Sequence, residues 1–226
     1  MTNIREPGQA PDRKAALAQY RRRASVYDFE MALFEPIRRD AICELALRPG
    51  DTVLDVGCGT GLSFALLQQG LGTKGRIVGI EQCPEMMQQA QQRVAQQGWD
   101  NVTLLCSPVE LAEIPVKADA ALFHFTHDIL RRPEAIANVM QHLKSGAHVV
   151  ASGLKWAPPW AWPVNLFVLP AAAHSVTSFE GLGQPWDKLS AWIGDLSVQT
   201  TLMGSVYIAS GVLERASGPG RSSSSR

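Results

Sequence analysis

A glycine-rich heptad restricts the fold of this chain more than any other segment. Its residues, 55–61, read DVGCGTG; they follow the apolar run 52–54 and precede a segment of helical character, 62–69. Glycine adopts the strained angles of a tight turn, and without a Cβ it lets a ligand lie against the backbone. The next apolar run, 75–80, ends at Glu81, about where α/β nucleotide folds bind ribose hydroxyls with a carboxylate. This pattern predicts a nucleoside-binding crevice.

Helices and strands are predicted to alternate along the chain, which favours an α/β fold. Successive strand–helix units require a mostly parallel sheet with helices on both faces. Such a sheet binds its ligand at the carboxyl ends of the strands, at the switch point beside the first strand. Two last strands separated by Gly204 predict a closing antiparallel hairpin in a seven-stranded sheet. The predicted helices cover 15–23, 36–47, 62–70, 84–98, 133–146 and 186–193, and the predicted strands cover 52–56, 76–80, 102–106, 118–125, 147–153, 196–203 and 205–213.

Composition favours one soluble globular domain. The chain has 226 residues with 21 basic and 21 acidic side chains, so a nucleic-acid partner held by a basic surface is not expected. Its basic clusters, 21–23, 38–39 and 131–132, are interpreted as solvated helix faces. Four cysteines without a CxxC pair indicate a reducing, cytoplasmic location, and no apolar run reaches the ~18 residues of a spanning helix. The polar ends, 1–14 and 215–226, are expected to be disordered.

Several of these features together resemble class I S-adenosylmethionine-dependent methyltransferases of the small-molecule, ubiquinone-biosynthesis-like (type 11) group. They are the stretch VLDVGCGTG, Glu81, the helix start PEMM at 84–87 and the closing hairpin. A dinucleotide fingerprint has a third glycine where this chain has Leu62. The resemblance therefore implies S-adenosylmethionine as the cofactor. It also implies a Rossmann-like fold over residues 15–214, with a helical lid at 15–47 and an acceptor-binding insertion at 154–185.

The same resemblance implies roles for individual residues around the cofactor. Asp55 would support the turn near the amino-acid end of the cofactor, Glu81 would bind the ribose hydroxyls, and Met86 would pack on adenine. The family's usual acid after the third strand is missing from its usual place, because residues 106–110 read CSPVE. Ser107 and the backbone of Val109 are the substitutes. The implied cofactor-binding residues are Asp55, Gly57, Cys58, Gly59, Gly61, Glu81, Gln82, Met86, Ser107, Val109, Phe123 and Tyr27.

A polar segment after the fourth strand is the candidate catalytic region. Residues 124–128 read HFTHD, and they follow the strand at its carboxyl end, beside the crevice. Either His127, oriented by Asp128, or His124 would act as a general base. In the alternative reading, Asp128 caps a short helix at 129–132 and the histidines only line a wall. No ligand spacing predicts a metal site.

The insertion carries the candidate acceptor-binding residues. Residues 153–163 read GLKWAPPWAWP, and tryptophans among prolines would form the apolar wall of a pocket. A dimer contact or a patch that touches membrane lipid is the alternative. Tyr20, with Tyr27 and Arg23, lies on the lid, where it would reach the acceptor or the cofactor, or merely pack. The predicted acceptor-binding residues are Tyr20, Trp156, Trp160 and His174.

We therefore expect methyl transfer to N, O or S of a small, partly apolar acceptor by a monomer or homodimer. One alternative is a phospholipid-amine or quinone-precursor methyltransferase in peripheral contact with a membrane. The others are an NAD(P)-dependent oxidoreductase, against which Leu62 and the hairpin count, and a non-catalytic cofactor-binding protein.

Overall fold

The protein contains a seven-stranded sheet with helices on both faces, seen in a computed structural model that describes residues 34–166 and 181–214. The strand order is β3-β2-β1-β4-β5-β7-β6. The first five strands are parallel, and β7 is antiparallel to both β5 and β6. In chain order the elements are α1 (Glu35–Glu44), β1 (Thr52–Val56), α2 (Phe64–Leu71), β2 (Arg76–Glu81), α3 (Pro84–Gln97), β3 (Val102–Cys106), β4 (Ala118–His124), α4 (His127–Leu130), α5 (Pro133–Gln141), β5 (Leu143–Leu154), β6 (Ser197–Thr201) and β7 (Val206–Val212).

Alternation along the central strands divides the core into two layers. In β4, Leu122 belongs to the core layer that includes residues of α1, α2 and α3, whereas its neighbour Phe123 belongs to the layer that includes α5. Successive strand side chains point to opposite faces of a sheet, so the continuously apolar central strands require helices on both sides. The strand order reverses between β1 and β4, and the crevice opens there, at their carboxyl ends.

The fold confirms the predicted sheet and corrects several element boundaries. α5 ends at Gln141, and β5 begins at Leu143 rather than at residue 147, so Gly146, with φ +83°, lies within the strand. The predicted helix at 186–193 is a 3₁₀ turn over Asp187–Leu189. The hairpin turn comprises the four residues 202–205 rather than Gly204 alone. α4 begins at His127 with Thr126 at its N-cap, so the alternative in which Asp128 caps this helix is wrong.

Some predictions fall on residues outside the described ranges. They are the helix at 15–23, the disordered ends, most of the lid, and the side chains of Tyr20, Tyr27 and His174. Within residues 34–166 and 181–214, no helix has both the length and the apolar character needed to cross a membrane.

Candidate functional site

The glycine loop after β1 makes a tight turn against the end of β2. The backbone N–H groups of Gly57 and Cys58 both donate to the carbonyl of Ile80, at 2.8 and 3.0 Å. Gly57 has φ +72°, and a Cβ there would lie 2.7 Å from Thr126 Cγ2 and 2.8 Å from Ile129 Cδ1. Glycine is therefore required at this position both for its backbone angles and for the close approach of α4.

Glu81 connects the glycine loop to the start of α3. Its buried carboxylate accepts hydrogen bonds from the N–H of Gly59 at 3.1 Å and from the N–H of Cys83 at 2.7 Å. Burial raises the pKa of Glu81, and these N–H donors oppose the rise. The end of β2 thus presents an acid at the edge of the crevice, directly against the loop.

Asp55 is a buried carboxyl group at the carboxyl end of β1. Its side chain is 2% exposed, and within the described part of the chain Oδ2 has no hydrogen-bond partner. The pKa of Asp55 is raised to about 7, mainly by burial and also by the charge of Glu81, while the charge of Arg38 opposes the rise. The ionised form of a buried carboxyl group with an unpaired oxygen would be stabilised by a cationic hydrogen-bond donor in the crevice.

Arg38 is a functional candidate that the sequence interpretation missed. The cluster 38–39 was expected on a solvated helix face, yet Arg38 is 2% exposed, and only Arg39 points to solvent. Arg38 forms an ion pair with Glu35, and its Nε has no partner within the described residues. The signal was present in the sequence, because residue 38 falls on the same helical face as the buried Ala41, Ile42 and Leu45.

His124 is half-buried beside Ser152 of the neighbouring strand. A hydrogen bond of 2.7 Å joins His124 Nδ1 and Ser152 Oγ, and Nε2 has no partner among the described residues. Burial, together with the charge of Arg38, lowers the pKa of His124 to about 3. The imidazole is therefore neutral at physiological pH, which makes it a weak base.

A mostly apolar cavity lies at the carboxyl ends of β4 and β5. It is partly open to solvent, and His127 is its basic side chain. Sequence reasoning missed Ser152 and Tyr207, a buried residue on the antiparallel β7 whose pKa is raised by burial. Because β7 comes late in the chain, no local pattern assigned it to this wall. The lining residues are Phe125, His127, Ser152, Gly153, Leu154, Leu182 and Tyr207.

The fold is that of known methyltransferases. Over 88% of this chain and 99% of the other, it resembles the N-methyltransferase NodS from Bradyrhizobium japonicum in complex with S-adenosyl-L-homocysteine, with a TM-score of 0.66 at 14% identity. Residues 53–146 match a family model described as a methyltransferase domain. The matched residues lie within a sheet that has the class I methyltransferase fold.

Sequence relatives of this methyltransferase domain differ in the acceptors that their names state. A protein-L-isoaspartate O-methyltransferase from Methanococcus aeolicus is 28% identical over 49% of this chain and 50% of its own length. An arsenite methyltransferase from Halobacterium salinarum is 37% identical over 31% of this chain and 18% of its own length. The chain thus spans about half or less of the length of these relatives.

The remaining predicted site residues of the methyltransferase domain occupy several places. Met86, Ser107 and Val109 follow β2 and β3 at their carboxyl ends, and so does Gln82. Cys58 is buried with its thiol in the core, and burial raises its pKa, so it offers the crevice its backbone. The Phe123 ring is fully buried between β4 and α5.

The two described tryptophans predicted to bind the acceptor lie in different environments. Trp156 is half-buried, and its backbone N–H donates to the carbonyl of Leu182 at 2.9 Å, beside the cavity. Trp160 is exposed on the surface instead. Asp128 is half-buried in the first turn of α4. Within residues 34–166 and 181–214, no cluster of three His, Cys, Asp or Glu side chains could hold a metal ion.

Proposed function

We propose that this protein transfers a methyl group from S-adenosylmethionine to N, O or S of a small, partly apolar acceptor. The observation that carries the proposal is a pair of buried, oppositely charged groups beside the glycine loop, Asp55 and Arg38, each with a polar atom lacking a partner in the described chain. Buried polar atoms without partners are costly in a folded protein. They are expected where a ligand completes the site.

The chemistry of this pair fits the amino-acid end of the proposed cofactor. That end carries an ammonium and a carboxylate group. Asp55 would accept hydrogen bonds from the ammonium group, and Arg38 would donate to the carboxylate. Opposite charges held apart in a buried site favour a zwitterion over a ligand with a single charge. Arg38 thus joins the cofactor-binding residues proposed from the sequence.

The nucleoside end would be held by the next two strand ends. Glu81 would accept hydrogen bonds from the ribose hydroxyls, beside the backbone of Gly59. Met86, together with Gln82, would contact adenine at the start of α3, and Ser107 and Val109 would contact it after β3. When bound, S-adenosylmethionine supplies a methyl group that its positive sulfur has already activated. The protein then contributes mainly alignment, worth ~7–11 kcal/mol when both reactants are held in position.

His127 is the proposed general base for the acceptor. It lines the cavity, whereas His124 bonds to Ser152 and has a pKa of about 3. A base is most effective when its pKa lies near the working pH, so the low pKa of His124 supports a role in positioning. Asp128 in the first turn of α4 is the proposed orienting group. The phenylalanine, leucine and tyrosine side chains of the cavity favour a partly apolar acceptor.

Calorimetric titration with S-adenosylhomocysteine and, separately, with NADH tests this proposal. We expect saturable binding of S-adenosylhomocysteine and none of NADH. Incubation with labelled S-adenosylmethionine and a cell extract should then give a labelled small molecule. Binding of NADH alone would instead support the oxidoreductase alternative. Tight S-adenosylhomocysteine binding with no labelled product would support a non-catalytic cofactor-binding protein.

A further inference from the structure

Large apolar side chains are concentrated on one part of the surface. The described residues include seven exposed large hydrophobic residues, and five of them belong to two short segments, 158–166 and 202–204. We call this set the apolar patch. It consists of Trp160, Trp162, Leu166, Leu202 and Met203.

The two segments of the apolar patch are in contact with each other. A Cβ on Gly204 would lie 2.8 Å from Pro158 Cδ. Lys155 joins the same parts of the chain, because its N–H donates to Ser205 O at 2.9 Å and its Nζ donates to Gly204 O at 3.1 Å. The two segments that carry these side chains therefore lie against each other where Pro158 meets Gly204. The first segment follows Trp156, whose backbone N–H donates to the carbonyl of Leu182, a residue that lines the cavity.

Packing of the core does not account for the tryptophans in the apolar patch. Within the 3₁₀ segment Pro159–Val164, the small Ala161 is 1% exposed, whereas Trp160 is 71% exposed and Trp162 is 63% exposed. Folding alone would favour the opposite arrangement, with the largest apolar side chains inside. The side chain of Asn165 fixes the segment, accepting from Ala157 N–H at 2.8 Å. The tryptophans thus point outward from an anchored segment.

The hairpin turn shows a second arrangement that the fold does not require. Leu202 and Met203 have φ values of +49° and +56°. Hairpin turns with such angles strongly favour glycine and asparagine. Here two large apolar residues occupy these positions with their side chains exposed. Strained backbone combined with exposed apolar side chains indicates a function outside the fold.

The apolar patch offers few polar groups with which a protein partner could form hydrogen bonds. The polar side chains next to it bond to nearby backbone: Lys155 to Trp156 O and Gly204 O, Asn165 to Ala157, and Ser205 to Leu202 O. Protein interfaces usually surround an apolar centre with a hydrogen-bonding rim. The chemistry here suits a partner that provides apolar contact without fixed hydrogen-bond geometry.

Charge agrees with a lipid surface as that partner. Residues 155–166 contain one charged residue, Lys155, and residues 196–213 contain none. Without carboxylates, the apolar patch neither repels anionic headgroups nor places a negative charge at the acyl boundary. Tryptophan is enriched at that boundary, where its ring is amphipathic. We infer that the apolar patch docks the protein on the surface of a phospholipid bilayer, with Trp160 and Trp162 inserted at the headgroup level.

Co-sedimentation with vesicles tests this inference on the full chain. Vesicles of phosphatidylcholine alone and of phosphatidylcholine with phosphatidylglycerol are compared. We expect the protein to sediment with both kinds of vesicle, and brominated lipid to quench its tryptophan fluorescence. The double variant Trp160→Ser/Trp162→Ser should bind at least roughly tenfold more weakly, because two large apolar surfaces no longer leave water. The double variant Leu202→Ser/Met203→Ser should also bind vesicles more weakly.

Leu111→Ser is the matched control, because Leu111 is 67% exposed but follows β3, at the opposite edge of the sheet from the hairpin. It should bind vesicles as the unaltered protein does. Titration with S-adenosylhomocysteine checks the folding of each variant, and it separates loss of docking from loss of the proposed cofactor site. The inference is overturned if the protein stays in the supernatant with both kinds of vesicle, or if the double variant binds as well as the unaltered protein. A dimer seen by light scattering and abolished by the double variant would overturn it in favour of a second copy of the chain.

Discussion

Asp55 shows how a binding residue can lower the stability of the fold that carries it. Its pKa is about 7, against an ordinary value of 3.8. Between these pH values the folded protein retains a proton that the unfolded chain has lost, so the free energy of unfolding falls as pH rises. Above about pH 7 the full penalty is present, on the order of 4 kcal/mol at 1.4 kcal/mol for each pKa unit.

Asp55→Asn should therefore raise the melting temperature at pH 8 while abolishing binding of S-adenosylhomocysteine. The amide keeps the shape of the side chain but removes the buried charge. Thermal unfolding measured from pH 5 to pH 8 should show a smaller decline with pH in the variant. Lower stability of Asp55→Asn at pH 8 would contradict the account of this residue.

Asp119→Asn is the control, because it should change the stability at pH 8 in the opposite direction. Although burial alone would raise the pKa of Asp119, hydrogen bonds from Lys144 and from Thr52 N–H hold it below its ordinary value. Its stabilising effect is present above the ordinary pKa and is lost as pH falls through the lower folded value. The Asn variant should thus be less stable than the unaltered protein at pH 8.

The two histidines beside the crevice are expected to differ in kinetics. His127→Ala should leave S-adenosylhomocysteine binding intact and slow methyl transfer to the acceptor about a hundredfold or more, as expected when a general base is removed. His124→Ala should preserve the pH dependence of the rate, because a group with a pKa of about 3 does not titrate near neutrality. Initial rates of methyl transfer from labelled S-adenosylmethionine to the acceptor, measured from pH 6 to pH 9, distinguish the two variants. Full activity of His127→Ala would assign the base elsewhere.

At the scale of elements, the parts that the sequence predicted well are those governed by local patterns. β1 and β3 have the predicted bounds, 52–56 and 102–106, because short apolar runs between turn residues specify them. α3 begins at Pro84 and ends at Gln97, just before Gly98, whose φ is +65°. The errors occur where pairing overrides the local signal. β5 starts early because Leu143 pairs with Ala118 of β4.

The glycine loop depends on the helix that follows it. Gly61 has φ +78°, and a Cβ there would lie 2.5 Å from Cε2 of the Phe64 ring at the start of α2. Phe64 is fully buried, so its ring has little room to move. The loop and the first turn of α2 are therefore specified together.

Gly61→Ala should destabilise the protein and weaken S-adenosylhomocysteine binding. The added methyl group must displace the ring, and the left-handed backbone adds a further ~1–3 kcal/mol of strain. Gly50→Ala is a matched control, because Gly50 has φ +95° but no atom within 4 Å of a built Cβ. We expect Gly50→Ala to show only the strain effect, without loss of binding. Urea unfolding and calorimetric titration measure both quantities, and equal losses in the two variants would contradict the packing explanation.

At the scale of the whole molecule, the proposed cofactor site depends on contacts between distant parts of the chain. α1 brings Arg38 over the ends of β1 and β4, and its last residue, Glu44, accepts hydrogen bonds from Ser210 at 2.9 Å and from Gln199 at 3.3 Å. The sequence predicted the helix, but a pairing across 166 residues leaves no local pattern. For this reason Glu81 and Asp55 were assigned from the sequence, whereas Ser152 and Tyr207 were not.

Binding at this site should stabilise the whole domain. A ligand at a hundred times its dissociation constant adds about 2.7 kcal/mol to the free energy of unfolding, which raises the melting temperature by roughly 5–10 °C for a chain of this size. We expect S-adenosylhomocysteine to produce this shift and NADH to produce none. The shift should be larger at pH 8 than at pH 6, because the ammonium group requires Asp55 in its ionised form and the pKa of Asp55 is about 7.

Arg38→Gln and Arg39→Gln form the matched pair for this measurement. The two positions are adjacent on α1, but only the guanidinium of Arg38 is buried beside Asp55 and His124. Arg38→Gln should lose most of the shift produced by S-adenosylhomocysteine, since the cofactor carboxylate would have no cationic partner there. Arg39→Gln should keep all of it. If both variants keep the full shift, the carboxylate binds elsewhere; if both lose it, the effect comes from the stability of α1 and not from the ligand.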